Sequence, residues 1–412
     1  MEQVLYELPE GWVWENLTDV TRIGAERGFV PEVNDGKAPF IGMSNIDQDT
    51  GLDSEYELRD FESVRKGYTK FQKNAVLLAK ITPCTENNKT ALIQGINGGY
   101  ATTEVYPIHS LPKTYPHYLL QFLRSPSIRE LLVSKMEGAT GRQRVPTDAV
   151  SSLKIPLPPL SEQKRIVAKL DALFTRIDSA SSHLQQTLEL SNALFASALD
   201  GEFNPLRNMG DLYELPDGWE WSTLEDQTIP TKNIKPTSAP NQQFTYIDIS
   251  SIDRNINQIA DPKIILGSEA PSRAKKEVFE HDVLFATTRP NLKNVAMFSG
   301  GVESPVASTG FCVLRAAESI EPSFLFRFLT TEFLQQQISS LISGAQYPAI
   351  TDKNLKLTPI PLPSINEQKR IITHLDALSE RTRTLETATQ EKLNGLIALK
   401  ASLLDAAFKG QL

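Results

Sequence analysis

A carboxylate and a lysine recur as Glu162-Gln-Lys164 and Glu367-Gln-Lys369, the Glu-x-Lys spacing with which a metal-dependent nuclease holds a divalent cation beside a phosphate. Such a site needs another acid upstream, and Asp148 and Asp352 are the candidates. Both of these follow a threonine in a turn-like segment, and both Glu-Gln-Lys runs open a long helical pattern. Helix capping and contact with a partner explain them better than catalysis. The five histidines (His109, His117, His183, His281, His374) show no HExxH or other ligand spacing. Cys84 and Cys312 are the only cysteines, so neither a disulfide framework nor a CxxC metal knuckle exists. Gly36-Lys37-Ala38 lacks the upstream glycine and the hydroxyl of a phosphate loop. Asn204-Pro205-Leu206 is not the Asn/Asp-Pro-Pro-Tyr/Phe element of amino-methyltransferases. The chain is expected to bind no metal or cofactor and to carry no active site.

The bulk properties are those of a soluble globular protein. With 412 residues there is room for two or three domains, each with its own core. The content is 40% hydrophobic and 22% charged, and no apolar run approaches the ~20 residues that span a bilayer. Met1-Glu2-Gln3-Val4 lacks the basic and apolar regions of a signal peptide, so a cytoplasmic location is expected. The net charge of −8 and pI near 5.4 argue against nucleic-acid binding. Charge is unevenly spread, however. Residues 63–98 hold Arg65, Lys66, Lys70, Lys73, Lys80 and Lys89 against Glu86 alone. Residues 47–62 hold Asp47, Asp49, Asp53, Glu55, Glu57, Asp60 and Glu62 against Arg59. A basic face opposed by an acidic one, or two solvated loops of opposite sign, would each produce this pattern.

The positions of these residues follow from a tandem duplication. Tyr6-Glu-Leu-Pro-Glu-Gly-Trp-Val-Trp14 recurs as Tyr213-Glu-Leu-Pro-Asp-Gly-Trp-Glu-Trp221, and Phe40-Ile-Gly-Met-Ser-Asn-Ile-Asp47 as Tyr246-Ile-Asp-Ile-Ser-Ser-Ile-Asp253. Ala75–Ala79 matches Asp282–Ala286, with Pro83 and Pro290 four residues on. Pro116–Leu123 matches Pro322–Leu329, and Pro156-Leu-Pro158 with Glu162–Ile166 returns as Pro361-Leu-Pro363 with Glu367–Ile371. All four tryptophans lie in the Leu-Pro-Glu/Asp-Gly-Trp-x-Trp segments, where a turn leads into a short strand opening each half. They are read as packing anchors in preference to base-stacking rings.

Each half, residues 1–155 and 207–360, reads as a mixed domain, with strands near Val76–Ile81, Tyr246–Ile249 and Val283–Thr287. Helices are expected at about Pro116–Met136 and Pro322–Ile342. Each Pro-Leu-Pro connector precedes a long helix, placing the helical segments at 156–206 and 361–412. Ser161 and Asn366 are the expected N-caps. Heptad spacing runs from Ile166 through Leu170, Leu173, Ile177, Ala180, Leu184, Thr187, Ser191 and Leu194 to Ala198. It runs again from Ile371 through Leu375, Leu378, Thr382, Leu385, Thr389, Lys392, Leu396 and Leu399 to Leu403. About 38 residues each give helices of roughly 55–60 Å. The expected fold is α+β: two similar mixed domains separated by two long helices that form an antiparallel coiled coil about a pseudo-two-fold axis. A plain dimerisation or scaffold coil is the alternative.

This arrangement resembles the specificity subunit of type I restriction-modification systems, over essentially the whole length and twice over. Gly138-Ala-Thr-Gly-Arg-Gln-Arg-Val-Pro146 and Gly344-Ala-Gln-Tyr-Pro348 resemble that family's loops before each connector. Ala198–Phe203 and Ala407–Leu412 are similar to its helix ends. The resemblance implies that each mixed domain is a target-recognition domain reading half of a bipartite double-stranded DNA site. It implies helices that set the spacer and dock two modification subunits, which use S-adenosylmethionine, with restriction subunits that use ATP and Mg. Whether isolated chains pair as homodimers is left open.

On that reading Lys and Arg neutralise phosphates while forked side chains read base edges. The candidates in the first domain are Lys66, Lys70, Lys80, Thr82, Asn87, Asn88, Lys89 and the loop Arg142, Gln143, Arg144. The alternative for that loop is a salt-bridged connector. In the second domain they are Arg289, Asn291 and Lys293, the cluster Arg273, Lys275 and Lys276, and the loop residues Gln346 and Tyr347. The two loops differ, so an asymmetric target is expected. The rival readings are a scaffold that ignores DNA, which the acidic pI favours, and a self-contained restriction or modification enzyme.

Overall fold

A computed structural model of the chain describes residues 3–52, 55–139, 141–204, 215–344 and 346–412. Asp53, Thr140, Pro205-Leu206, the boundary expected at 206/207, the repeat start at Tyr213 and Ala345 lie outside the described residues. The chain divides into two compact units, residues 1–185 with 390–412 and residues 186–389.

In the first unit, strand Val13–Asn16 pairs antiparallel with Lys154–Leu157, setting Trp14 opposite Pro156. Two four-stranded sheets follow. One is antiparallel, in the order Thr21–Ile23, Val105–Ser110, Ala75–Ala79, Thr90–Leu92. The other runs Glu57–Asp60, Lys37–Ile41, Gly98–Ala101, Thr69–Gln72, its central pair parallel. Ala75–Ala79 is wholly buried, which explains its unbroken apolar sequence.

The second unit repeats both sheet orders. Thr228–Ile229, Phe311–Ala316, Val283–Ala286 and Val295–Met297 form one sheet; Lys263–Leu266, Gln243–Ile247, Pro305–Ser308 and Ala274–Glu277 form the other. Trp221 faces Pro361 in the opening pair, as Trp14 faces Pro156. The duplication seen in the sequence is thus one of topology too.

Several local expectations need correction. The helix expected over Pro116–Met136 is two, Pro116–Arg124 and Pro126–Ser134. Pro126 has no N–H to give and holds Ser125 extended, so the helix stops and restarts. Its counterpart breaks into Pro322–Leu329 and Glu332–Ile338, because the Thr331 hydroxyl accepts from Leu334 N–H and caps a new helix.

The long helices span Leu160–Phe203 and Ile365–Phe408, 44 residues each, or about 66 Å. Ser161 and Asn366 lie inside the first turn and are not its caps. The carbonyl of Pro159 accepts from Glu162 and Gln163, and Ser364 accepts Glu367 N–H on its hydroxyl. Leu194, Leu385, Lys392 and Leu399 are exposed, against the heptad register. The other positions of both series are buried or half-buried, and Leu375, Thr382, Thr389, Leu396 and Leu403 keep an unbroken seven-residue spacing, so the heptad seam holds along both helices.

Within each unit the domain core is completed by the start of one long helix and the end of the other. In the first unit Ile166, Val167 and Leu170 join Leu404, Ala407 and Phe408 in a core with Tyr118, Phe122 and Leu132. Phe408 meets Tyr118 and Phe122 edge-on at 5.2 and 5.6 Å. Arg165 donates to the Leu412 carbonyl, and Asp178 pairs with Lys400, so the two helix segments run antiparallel. In the second unit Leu199 and Phe203 join Ile371 and Leu375, and Phe203 packs on Phe324 at 4.7 Å.

Candidate nucleic-acid interface

A buried glutamine sets how each domain joins its helix. Gln163, 0% exposed, accepts Tyr115 N–H (2.8 Å) and donates to the carbonyls of Lys113 and Pro158 (2.9 Å each). Gln368, also 0% exposed, accepts Glu321 N–H (2.8 Å) and donates to Ser319 and Pro363 (3.1 and 2.9 Å). An amide alone supplies both an acceptor and two donors from one planar group. These residues were missed as a functional pair, although their recurrence in both Glu-Gln-Lys-Arg runs was the available signal. The flanking acids are occupied: Glu162 by Arg165 and Glu367 by Arg370, each at 2.7 Å and each carboxyl held below its usual range by that guanidinium. Among the described residues no group of three or more His, Cys, Asp or Glu is placed to hold a metal.

At the far side of the core strand Ala75–Ala79, the chain enters Lys80-Ile81-Thr82, against which the loop before the connector is laid. Val145 N–H donates to Lys80 O (2.8 Å), and Thr82 N–H to Gln143 O (3.1 Å). Gln143 N–H returns to the Thr82 hydroxyl (3.2 Å). Glu137 and Arg144 close the loop by exchanging backbone bonds of 2.9 and 2.8 Å. Gly138, at φ +122°, lies where a Cβ would meet the Arg142 carbonyl at 2.9 Å. Arg142 stands exposed at the tip.

The second unit builds the same frame from other side chains. Ile350 N–H donates to Thr287 O (2.9 Å), Arg289 N–H to Pro348 O (2.7 Å), and Ser343 exchanges backbone bonds with Ala349 (3.0 and 2.9 Å). Thr82 and Arg289 therefore hold equivalent places, as do Arg142 and Tyr347, each one residue before the acceptor of that bond. The Arg289 guanidinium lies 5.5 Å from the Tyr347 ring centroid. Gln346 and Asn291 are exposed nearby in sequence.

The remaining candidates scatter. Lys80 lies 4.8 Å from the Tyr106 ring centroid, beside the loop. Arg144 grips Glu104 through both Nε (3.0 Å) and Nη2 (2.7 Å), and hydrogen bonding to Arg144 lowers the Glu104 pKa. The salt-bridged reading of the loop thus describes Arg144, while Arg142 makes no ion pair with any described residue. Lys89 donates to Met43 O (2.8 Å) and Lys70 to Phe29 O (3.2 Å). Lys66 is exposed in the turn before strand Thr69–Gln72, in the other sheet. Asn87 and Asn88 line a separate cleft of about 610 Å³ with Arg124, Asp171 and Lys400. Lys276 is paired with Asp352 (2.8 Å) and Lys293 with Glu332 (2.6 Å), while Arg273 and Lys275 are exposed.

Three of the four tryptophans pack, while Trp221 is 43% exposed. Trp12 and Trp219 lie against the two cores, Trp14 meets Tyr6 edge-on at 5.0 Å, and Trp221 lies 6.5 Å from Phe333. Among the described residues no helix is long and apolar enough to cross a membrane.

This frame has known relatives. The chain is 32% identical to the type I restriction enzyme EcoAI specificity subunit of Escherichia coli, over 98% of this chain and 84% of that one. It superposes on the HsdS subunit from Thermoanaerobacter tengcongensis with a TM-score of 0.63 at 26% identity, covering 100% of both chains. It shares its fold with a chain from a structure of type I R-M complex assembly and conformational transition, with a TM-score of 0.79 at 24% identity, over 99% of this chain and 100% of that one. The type I restriction modification DNA specificity domain matches residues 9–190 and again 216–395, and the chain belongs to that family.

Proposed function

We propose that this chain is the non-catalytic sequence-reading subunit of a type I restriction-modification complex, working in the cytoplasm. Each unit reads one half of a bipartite double-stranded DNA site. The observation that carries this reading is the repeated loop frame holding unlike side chains, Thr82 and Arg142 in one unit and Arg289 and Tyr347 in the other. A common frame with exchanged tips suits two half-sites of different sequence. The long helices set the spacer and dock two modification subunits, and restriction subunits join that assembly. S-adenosylmethionine, ATP and Mg belong to those partners, and this chain binds none of them. The net charge of −8 is compatible with DNA binding because phosphate contacts depend on local cations.

The test is reconstitution with the cognate modification subunit and S-adenosylmethionine, followed by mapping of methylated positions. Methylation confined to one bipartite, asymmetric motif is expected. With about six phosphate contacts, log K should fall against log salt with a slope near −5. A stable complex that methylates at random would make the chain a scaffold.

A further inference from the structure

The exposed tips of the two loop frames differ in one respect that bears on base choice. In the first unit the turn position carries Thr82, whose hydroxyl is turned inward to Gln143 O at 3.2 Å, and the loop position carries the guanidinium of Arg142. In the second unit the cation has moved to the turn position, Arg289, and the loop position is aromatic, Tyr347. Each unit thus presents one guanidinium that makes no ion pair with any described residue, Arg142 and Arg289, delivered from opposite sides of the paired loops.

Arg289 occupies an uncommon backbone conformation. Its backbone is left-handed (φ +51°, ψ +55°), a conformation costly for a long side chain and concentrated at functional sites. Arg289 N–H is pinned to Pro348 O at 2.7 Å, and Pro290 immediately after it opens a 3₁₀ turn. The guanidinium makes no ion pair with any described residue. It rests 5.5 Å from the centre of a Tyr347 ring that is itself 64% exposed. An exposed arginine and an exposed tyrosine gain little by stacking in water. The arrangement orients a planar fork of donors while leaving its outer edge free. Lys293, four residues on, is also left-handed but is tied to Glu332, so the free cation of this turn is Arg289.

We infer that Arg289, shelved on Tyr347, reads a guanine through its O6 and N7 in the half-site recognised by the second unit. Bidentate donation from arginine is the commonest base-specific contact in the major groove, and guanine alone offers two adjacent acceptors there. This inference rests on the sequence-reading role proposed above. At the equivalent position of the first unit Thr82 has no such reach, so the determinant belongs to one half of the target only.

The experiment uses the full chain in complex with its modification subunit, on a library of randomised DNA. Three variants are compared: Arg289→Asn, Arg289→Lys and Tyr347→Ala. Asparagine tolerates the left-handed backbone, so Arg289→Asn preserves the turn. The wild-type motif should contain a guanine that Arg289→Asn releases, with discrimination at that position falling about 10- to 100-fold and the other half-site unchanged. Arg289→Lys keeps the charge but loses the planar fork, so affinity should survive while discrimination drops. Tyr347→Ala should weaken the same position to a lesser degree. A uniform fall in methylation at all sequences by Arg289→Asn, rescued by Arg289→Lys with the motif intact, would make Arg289 a phosphate contact and overturn the inference. An unchanged motif and rate in every variant would remove Arg289 from the DNA altogether. Random methylation by the wild-type complex would defeat the underlying role itself, a result distinct from both.

Discussion

Replacing Gln163 by alanine removes an amide that holds the first helix turn to the loop before helix Pro116–Arg124 and to the connector. Three hydrogen bonds vanish together, from Tyr115 N–H and to the Lys113 and Pro158 carbonyls. At about 1 kcal/mol net for each, the loss is about 3 kcal/mol, and more where the buried Pro158 carbonyl stays dry. For a body of about 200 residues this lowers the melting temperature by roughly 6–12 °C. Gln163→Glu sharpens the test. One carboxyl oxygen can still accept from Tyr115, but the other then faces two carbonyls and is tolerated only when protonated. The folded state therefore raises the pKa of the introduced carboxyl above the ~4.3 of an unfolded chain. Its contribution is fully present below that value and is lost as pH rises through the folded pKa. The protonated acid offers one O–H where the amide offers two N–H donors, so Gln163→Glu should sit about 1 kcal/mol below wild type at pH 4 and below Gln163→Ala at pH 8, with the alanine variant keeping a constant offset from wild type. Circular-dichroism melting across that range reads both effects. An alanine variant within 1 °C of wild type, or a glutamate variant parallel to wild type at all pH values, would refute the assignment.

Phe408→Ala and Phe203→Ala should each cost about 3–5 kcal/mol, since each ring closes a domain core, and denaturant unfolding of the two variants measures it. Arg315 grips the buried Asp282 through two bonds of 2.8 and 2.7 Å, so Arg315→Ala strands a carboxylate and should cost about 3–5 kcal/mol. The double variant Arg315→Ala with Asp282→Ala should cost less than the sum of the two single changes; additivity would show that the pair is not coupled. Burial raises the Asp47 pKa, but donors from Thr50 Oγ1 and the backbone of Asp49, Gly51 and Thr50 outweigh it and bring the carboxyl to about 2. Its stabilisation, about 1–2 kcal/mol after solvent screening, is present above the unfolded value near 4 and is lost as pH falls toward 2. Asp47→Asn should flatten that part of an acid-unfolding curve, and an unchanged curve would count against it.

The candidate interface was legible in part. The segment after each core strand and the loop before each connector were identifiable from repeat position, and the structure joins them through Thr82 with Gln143 and Arg289 with Pro348. Which cations are free was not legible. Lys89, Lys70, Lys276, Lys293 and Arg144 are all spoken for by carbonyls or carboxylates, most of them distant in sequence. Residue type states what a side chain can donate, and only the folded neighbours state whether it already has.

By itself the sequence determined the duplication, the two long helices and the strands buried on both faces. These rest on local signals: repeated words, helical periodicity and unbroken apolar runs. Tertiary structure decided what those signals cannot carry. It joined Ile166 to Phe408 and Phe203 to Ile371 in two domain cores, and turned a motif glutamine into a buried clamp. It also left Arg142 and Arg289 exposed at the loop tips with no ion pair to any described residue. The physical reason is that burial and hydrogen-bond satisfaction are properties of neighbours brought together by the whole chain, and their partners lie tens to hundreds of residues away.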